Sequence, residues 1–232
     1  MHHFPYGNIC LFLLLFSMAE IIKIHQYQLG LIQTNTYLLQ CIDSGKAVII
    51  DPAEKSEEIK KLIQKEGLEL VYIINTHGHF DHIGGNAYFH AASGGKAAVA
   101  AHRKDFPLIS SGGNSSFYGI TINPSPPPEA DAAELSFLEF GNIKLEILYT
   151  PGHTPGHISL YESVSSSLFC GDVLFYRSIG RTDLPGGSHE TLLDSIRNKI
   201  FTLPENTAVY PGHGPMTGIK DEIRFNPWTQ QQ

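Results

Sequence analysis

Apolar and polar residues alternate with a period of two in three runs near the amino end, and this pattern predicts β-strands. The runs cover residues 20–29, 36–41 and 46–50. Asp43-Ser44-Gly45 separates the last two runs and is typical of a hairpin turn. We therefore expect the second and third strands to be connected by a tight turn.

The spacing of apolar residues becomes helical over residues 55–66, where Ile59, Leu62 and Ile63 form one stripe. Apolar runs with strand character follow, so a strand–helix–strand unit is expected here. The further elements predicted in this half are a strand over residues 68–74, a helix over 86–92 and a short strand over 97–101.

Periodicity is lost between residues 110 and 133. This stretch is rich in Gly, Ser and Pro and includes Pro124, Pro126, Pro127 and Pro128. Such a composition predicts a long surface loop, and loops of this length are either functional lids or solvated excursions. Phe117 and Tyr118 are the side chains in it that could cover a substrate.

The second half again alternates strands with helical segments. Strands are expected over residues 143–149, 168–170 and 207–210, and Ser188 can cap a helix that runs to Ile200. Two β-rich halves with helices between the strands predict an α+β/α/β fold, in which helices cover a core of sheet packed on sheet.

Composition and charge narrow the class of protein. A chain of 232 residues with 42% hydrophobic residues can form one domain with a sizeable core. A net charge of -7 argues against nucleic acid as a partner, although a local basic pocket for a small anionic substrate remains compatible with it. Cys10, Cys41 and Cys170 are too few and too scattered for a disulfide framework, which favours a reducing compartment.

The amino end has a different character from the rest. Residues 10–16 form an apolar run that is shorter than the roughly 20 residues a bilayer crossing requires. Residues 1–17 are interpreted as an amino-terminal extension or mis-assigned start, with a signal or tethering segment and a real structural element as the alternatives. A single domain is expected over residues 18–232, without a stable membrane span. We expect a cytoplasmic location, or export if residues 1–17 act as a signal.

The densest chemistry of the chain follows the apolar run at residues 71–74. His77, His79, Asp81 and His82 fall within six positions. Imidazole and carboxylate are common side-chain ligands of Zn²⁺-like ions. Residues spaced this closely cannot all face one ion from a regular strand, so a loop is expected. With His77 and His79 on one side of it and Asp81 and His82 on the other, two neighbouring metal sites are predicted.

Three further places repeat this arrangement of an apolar strand, a turn residue and a potential ligand. They are His153, Asp172 and His213. Each alone is weak, because a single His after a strand is more often a hydrogen-bonded structural residue. Ligand sites collect where strands end at one edge of a sheet, so together with the dense cluster these residues predict one metal centre.

These residues resemble the metallo-β-lactamase superfamily, whose signature His-x-His-x-Asp-His occurs here from His77 to His82. The resemblance extends from about residue 20 to about residue 227 and implies a four-layer αβ/βα sandwich. It implies two divalent metal ions, most simply Zn, with Fe or Mn as alternatives. By this resemblance the first ion is held by His77, His79 and His153, the second by Asp81, His82 and His213, and Asp172 bridges them.

The implied chemistry is hydrolysis. Two divalent ions that share a water lower its pKa from 15.7 toward about 7, so a bridging hydroxide can attack a carbonyl. Asp81 and Asp172 are then the catalytic carboxylates. Antibiotic-hydrolysing members of the superfamily usually carry Cys where this chain has Asp172, and Cys170 is expected to be a core thiol. A β-lactamase is therefore not expected.

Within the superfamily the chain is similar to glyoxalase II, or hydroxyacylglutathione hydrolase, and especially to its short bacterial relatives. The residues that carry this likeness are 171–175, 179–187 and 211–215. Arg181 stands where glyoxalase II has a basic residue that contacts glutathione, which makes it a candidate substrate-binding residue, although a structural pair with Asp183 is the alternative.

Two departures concern the substrate. A helical carboxyl-terminal domain that completes the glutathione site does not follow Trp228, and Gly214-Pro215 replace an expected aromatic residue. Hydrolysis of a thioester such as S-D-lactoylglutathione is therefore expected, rather than strict glutathione specificity.

Three alternatives to the thioester hydrolase stay open. Persulfide dioxygenases resemble this chain at residues 180–183 and use one iron, held by residues that match His77, His153 and Asp172. A lactonase and a pure binding module are the others. The sequence leaves the oligomeric state open. It also leaves open whether Asp51 orients a ligand imidazole or is a turn residue, and whether His157 is packed or part of the site.

Overall fold

The structure is a computed structural model that describes residues 21–230. In this part the chain forms two six-stranded sheets and a separate two-stranded hairpin. The first sheet comes from the amino-terminal half and the second from the carboxyl-terminal half. The interpretation of residues 1–17 as an extension concerns a segment that lies outside the described residues.

The first sheet has its strands in chain order. The pairs β1–β2 and β2–β3 are antiparallel, whereas β3, β4, β5 and β6 run parallel to one another. Its strands are β1 (Ile22–Leu29), β2 (Thr34–Cys41), β3 (Lys46–Ile50), β4 (Glu69–Ile74), β5 (Ala98–Ala101) and β6 (Ala130–Asp131). The helices of this half are α1 (Glu57–Lys65), α2 (Phe80–Ile83), α3 (Asn86–Ala92) and α4 (Phe106–Ser110).

The second sheet includes one parallel pair, which matters for the position of the site. Its strands are β7 (Phe137–Phe140), β8 (Ile143–Tyr149), β9 (Ile158–Glu162), β10 (Ser167–Gly171), β13 (Ala208–Pro211) and β14 (Thr217–Gly218). The separate hairpin between β10 and β13 consists of β11 (Leu174–Phe175) and β12 (Ser178–Ile179). The helices of this half are α5 (His189–Ser195), which continues as a π-helical turn over Ile196–Ile200, and α6 (Ile219–Phe225). The sheet order is β14-β13-β10-β9-β8-β7, β10 and β13 are parallel, and β11 pairs with β12 outside it.

The main core lies between the two sheets. Leu39 and Ile50 from the first sheet pack in one buried cluster with Leu145, Leu160 and Phe169 from the second. These side chains occupy one face of their strands, as the period of two requires. Burial of this shared face holds the two sheets together.

The outer face of the first sheet carries a helical layer. Ile59 of α1 and Phe89 of α3 pack against Ile49 and Ile73. Ile49 faces outward and its neighbour Ile50 faces inward, so β3 is buried on both faces. This explains why its sequence is an unbroken apolar run rather than an alternation.

The outer face of the second sheet is covered in the same way. Leu192 of α5 and Ile219 of α6 pack with Leu168 and Val209. The layers are thus helix, sheet, sheet, helix, and the predicted four-layer αβ/βα sandwich is confirmed.

Two predictions need correction. The stretch between residues 110 and 133 is not without structure, because a 3₁₀ turn forms at Ser115–Tyr118 and β6 pairs with β5 near its end. The helix expected from Ser188 to Ile200 begins as predicted, with Ser188 Oγ accepting a hydrogen bond from Thr191 N–H at 3.3 Å, but its second half is π-helical.

Among residues 21–230 no helix has the length and apolar content that a membrane crossing requires.

Candidate metal centre

All seven predicted ligands meet at the ends of strands. His77 and His79 follow β4, Asp81 and His82 lie on the single turn of α2, and the other three follow β8, β10 and β13. Among the described residues, three groups of three side chains have potential ligand atoms within 4.8 Å of one another. These groups are His77 with His79 and His153, His77 with His82 and Asp172, and Asp81 with His82 and His213.

Asp172 lies between the two ligand sets that the resemblance implies. Its Oδ2 is 3.6 Å from His153 Nε2 of the first set and 3.6 Å from His213 Nε2 of the second. Its Oδ1 is 3.5 Å from His82 Nε2. One carboxylate therefore faces both sets at once, which is the position that a bridging ligand needs.

Asp51 fixes two of the imidazoles from behind. His82 Nδ1 lies 2.9 Å from Asp51 Oδ2, and the Thr76 hydroxyl donates to the same oxygen at 2.7 Å. Because that hydroxyl donates its hydrogen to Asp51, its oxygen accepts from His77 Nδ1 at 3.1 Å. Both rings therefore carry hydrogen on Nδ1 and turn Nε2 toward the centre. The structure thus places Asp51 behind a ligand imidazole, although it also precedes a turn.

His153 of the first set is oriented in a similar way. His153 Nδ1 donates to the carbonyl of Arg181 at 2.7 Å, which leaves Nε2 facing His79 Nδ1 at 2.9 Å. The buried atoms His77 Nε2, His82 Nε2 and Asp172 Oδ1 have no hydrogen-bond partner. Buried polar atoms are nearly always paired, so three buried atoms without a partner, within 4.8 Å of one another, fit a site for a divalent cation.

The electrostatics of the first set favour neutral rings. Burial lowers the pKa of His79 to about 3, and the neighbouring imidazoles add to this effect. Burial, with the same neighbours, also holds the pKa of His77 well below the ordinary value of 6.5. Neutral imidazoles are the form that binds metal, so these side chains need not lose a proton at neutral pH.

The second set is dominated by its carboxylates. Burial opposes protonation of His82, but Asp81, Asp172 and Asp51 outweigh it and raise the pKa of this ring well above 6.5. Burial also opposes ionisation of Asp81, yet His82 and His213 outweigh it and lower the carboxyl pKa well below the usual range. A concentration of negative charge at buried imidazoles is an environment in which a metal cation can replace protons.

Two polar residues at the start of β2 position the second set, and sequence reasoning missed both. Thr34 donates to Asp81 Oδ2 at 3.0 Å. Asn35 donates through Nδ2 to the carbonyls of Pro211 and Gly214, both at 2.9 Å, and so holds the loop that carries His213. Both are fully buried. The run of polar residues from Thr34 opening an otherwise apolar strand was the available indication.

Asp105 connects the two loops of the first set. It is buried and accepts hydrogen bonds from Gly78 N–H at 3.0 Å, Thr154 Oγ1 at 2.6 Å and Gly156 N–H at 2.7 Å. Gly78 lies between two ligands and Thr154 follows another, so one carboxylate sets the distance between the loops. Its polar sequence surroundings, Arg103 and Lys104, gave no indication of burial.

His157 is packed, which is the first of the two interpretations that the sequence left open. Its ring is fully buried, and Nδ1 pairs with Thr150 Oγ1 at 3.1 Å. Its Nε2 accepts from the backbone N–H of Asp172 at 3.1 Å, and the ring stacks on His77 at 5.1 Å between centroids. His157 is outside the three candidate ligand groups and positions two of their members.

The close approach of the backbone to Asp172 requires glycine at position 212. A Cβ on Gly212 would overlap Asp172 Oδ1 and lie 2.9 Å from His82 Cε1. The glycine of the Pro211-Gly212-His213 sequence is therefore required by the packing of the centre.

Arg181 lies at the cleft, but its side chain is already paired. Nε and Nη2 each donate to Asp183 at 2.7 Å, and Nη1 lies 3.5 Å from the Tyr118 hydroxyl. The structural pairing named as the alternative is thus present. A role in substrate binding stays a prediction.

The metal-facing atoms open into a cleft. This cavity of about 480 Å³ is lined by apolar side chains and by five of the predicted ligands, His79, Asp81, His153, Asp172 and His213. The residues on its wall that belong to no ligand set include Ile32, Phe80, Tyr118, Ile120, Phe175, Ile179, Arg181 and Leu184. Tyr118 packs on Phe80 with ring centroids 5.2 Å apart, so the 110–133 stretch contributes to the cleft wall.

Proteins of known sequence are similar to this chain over most of its length. A probable metallo-hydrolase YqgX of Bacillus subtilis is 38% identical over 209 residues, which cover 89% of this chain and 97% of that protein. The hydroxyacylglutathione hydrolase GloC of Haemophilus influenzae is 36% identical over 80% of this chain and 88% of its own length. The mitochondrial persulfide dioxygenase ETHE1 of Bos taurus is 34% identical over 84% of this chain and 70% of its own length.

Solved structures share the fold. The B3 metallo-β-lactamase BLEG-1 superposes with a TM-score of 0.84 at 39% identity and covers 90% of this chain and 100% of its own. The di-iron-bound form of TTHA1623 superposes with a TM-score of 0.78 at 34% identity and covers 88% of this chain and 99% of its own. A family model described as the metallo-β-lactamase superfamily matches residues 29–213, so this chain belongs to that superfamily.

Proposed function

We propose that this protein is a thioester hydrolase that uses two metal ions and acts on a small anionic thioester such as S-D-lactoylglutathione. The observation that carries this proposal is the position of Asp172. Its carboxylate lies within 3.6 Å of imidazole nitrogens from both predicted ligand sets. A carboxylate shared in this way is expected of a paired-metal hydrolase.

The residues present fit two divalent ions, and we propose that both are Zn²⁺. His77, His79 and His153 would hold one, Asp81, His82 and His213 the other, and Asp172 both. Such a pair acidifies water and polarises the scissile carbonyl. The chain itself orients two of these side chains, since His82 donates a hydrogen bond to Asp51 and Asp81 accepts one from Thr34.

Similarity to named hydrolases supports the reaction class. GloC of Haemophilus influenzae, which matches over 88% of its length, is named a hydroxyacylglutathione hydrolase. In this chain Arg181 borders the same cleft as the ligands and offers a guanidinium near the entrance. A substrate carboxylate that displaced Asp183 from this guanidinium would gain a two-point contact.

A second candidate is a persulfide dioxygenase with one iron. It is favoured by the 34% identity to ETHE1 and by the Gly180-Arg181-Thr182-Asp183 sequence. The complete second set of Asp81, His82 and His213 favours the hydrolase instead, because a single iron on the first set leaves those ligands without a function.

The experiment is a comparison of activities on one preparation of purified protein. We expect cleavage of S-D-lactoylglutathione that a chelator abolishes and added Zn²⁺ restores. Oxygen uptake with glutathione persulfide, without thioester cleavage, would replace the hydrolase with the dioxygenase. A lactone and a β-lactam belong in the same panel, since a relative 39% identical is named a B3 metallo-β-lactamase. Faster cleavage of either would contradict the thioester assignment.

A further inference from the structure

A second cavity of about 500 Å³ adjoins the metal cleft. The two cavities share four lining residues, Ile32, Phe80, Asp81 and Ile120. Asp81 is a predicted metal ligand, so the second cavity begins directly beside the centre. Its volume lies within the range of small-molecule binding sites.

The wall of the second cavity combines apolar side chains with four exposed polar residues, Glu54, Lys55, Thr121 and Asn123. It is formed by the tip between β1 and β2, by α3 and by residues 120–123. Its apolar side chains are Leu31, Ile32, Ala53, Phe80, Ala87, Tyr88, Ile120 and Ile122. Leu31 is 85% exposed and Ile32 49% exposed, although both border a concave surface. Large apolar side chains around a cavity indicate an apolar ligand.

One wall is held rigidly. Tyr88 packs edge-on against buried Phe89 with ring centroids 5.1 Å apart, and its hydroxyl donates to Glu57 at 2.6 Å. This contact joins α3 to α1 beside the cavity. The cavity is therefore a formed feature of the fold on this side, which lowers the ordering cost of binding.

The charged group expected to bind the thiol portion lies elsewhere. Arg181 lines the metal cleft and is absent from the wall of the second cavity. Substrate groups on the two sides of the scissile bond can therefore lie in different places, the anionic thiol portion near Arg181 and the acyl portion beyond Phe80.

We propose that the second cavity is an acyl-binding site and that the preferred substrates are thioesters with a medium-length apolar acyl chain. The acyl chain of the substrate runs from the metal centre past Phe80 and between Leu31 and Tyr88. This inference rests on the proposed thioester hydrolysis and specifies its substrate class. A lactoyl group reaches only the metal cleft.

The test is a series of glutathione thioesters with lactoyl, butanoyl, hexanoyl and octanoyl groups. Burial of each added methylene should raise kcat/KM by about two- to fourfold from butanoyl to octanoyl. Ala87→Trp fills the second cavity from α3, and we expect it to lower kcat/KM for octanoylglutathione about tenfold or more while lactoylglutathione changes less than twofold. Ala91→Trp, on an exposed position one turn further along α3, is the matched control and should change neither.

A second variant avoids the risk of misfolding. Leu31→Asp changes a side chain that is 85% exposed, so it should fold, yet it places a charge on the cavity wall. It should lower kcat/KM for octanoylglutathione and spare lactoylglutathione, whereas Val164→Asp, at a position 55% exposed and outside the cavity, should alter neither.

The outcomes separate the two claims. Equal kcat/KM along the series, or equal losses on both substrates in Ala87→Trp and Leu31→Asp, would overturn the acyl site and leave thioester hydrolysis standing. Absence of cleavage with every thioester in a metal-loaded preparation would overturn both.

Discussion

At the scale of single residues, the rings of His77, His82 and His153 are each oriented by the group that binds the nitrogen facing away from the centre. Asp51 serves both predicted metal sets, because it pairs with His82 directly and with His77 through Thr76. The sequence showed an Asp before Pro52 and left its role open. A histidine's second hydrogen bond depends on tertiary contacts, so such partners are visible only in the structure.

The shared carboxylate gives the first prediction. Asp172→Ala should lose metal from both sites, because each set would lack a ligand, while the fold is largely retained. Elemental analysis of the purified variant measures the loss, and circular dichroism reports the fold. Asp194→Ala, on an exposed position of α5, should keep the full metal content. Two ions per chain in Asp172→Ala would contradict the bridging role.

Arg181 gives a second prediction at this scale. Its guanidinium is about half exposed and paired with Asp183, so its contact with substrate should be modest. Arg181→Ala should raise KM for an anionic thioester about three- to tenfold and leave KM for a neutral ester nearly unchanged. Steady-state kinetics on both substrates decide the matter, and Asp183→Asn is the control that frees the guanidinium. Equal effects on the two substrates would make Arg181 purely structural.

At the scale of elements, strand direction explains why scattered ligands meet. β10 runs parallel to β13, and β9 is antiparallel to both β8 and β10, so β8, β10 and β13 all end at the same edge. His153, Asp172 and His213 follow those ends. The pattern of strand, turn and ligand could be recognised in the sequence, and it predicted this grouping.

Other elements could not be predicted because they are too short to show a period. β6, β11, β12 and β14 each have two residues, and the turn of α2 has four. Tertiary contacts, rather than local preference, stabilise elements of this length. The stretch at residues 110–133 was accordingly predicted as a loop, although β6 lies at its end.

Asp105 tests the connection between two ligand loops. Burial raises the pKa of its carboxyl, and its three hydrogen bonds hold the ionised form against that effect. Asp105→Asn replaces an acceptor oxygen with a donor and should weaken metal binding about 10- to 100-fold. Competition with a chromophoric chelator measures this affinity.

The matched control for that experiment is Asp131→Asn. Asp131, on β6, forms an ion pair with Arg103, which precedes α4, and Arg103 Nε lies 2.5 Å from Asp131 Oδ2. The side chain of Asp131 accepts hydrogen bonds from Arg103 and Ala133, neither of which belongs to a ligand loop. Its substitution should leave metal affinity unchanged. An equal loss in both variants would show a general loss of stability rather than a specific effect of Asp105.

Cys170 on β10 was expected to be a core thiol, and it is fully buried. Burial raises its pKa from 9.0 to about 12, so the native thiol should resist alkylation by iodoacetamide at pH 8. Because the folded pKa exceeds the unfolded one, its contribution to the free energy of unfolding is complete below about pH 9 and is lost as pH rises toward 12. Mass spectrometry of the Cys170 peptide after brief labelling checks this, and rapid modification of folded protein would refute it.

At the scale of the whole molecule, the centre lies where the two halves meet. The first half contributes the cluster after β4, and the second contributes His153, Asp172 and His213. Asn35 reinforces this junction, since its backbone N–H donates to the carbonyl of Gly212 at 2.7 Å. Metal bound at this junction stabilises the folded state of both halves together.

The sequence predicted the layers of this assembly and the grouping of its candidate ligands, but not its cavities. Periodicity identifies the buried face of a strand where only one face is buried, whereas the unbroken apolar run at Ile49 and Ile50 reflects burial of β3 on both faces. The acyl-binding site depends on how the β1–β2 tip, α3 and residues 120–123 come together across the sheet. No local sequence pattern encodes how closely these three segments approach one another.

The central claim is that two metal ions share Asp172 in an enzyme that hydrolyses thioesters. Elemental analysis of the purified protein, together with an assay on S-D-lactoylglutathione from the same preparation, tests it most directly. The account predicts about two divalent ions per chain and chelator-sensitive cleavage. One iron per chain, with no thioester cleavage and with oxygen uptake on glutathione persulfide, would contradict it.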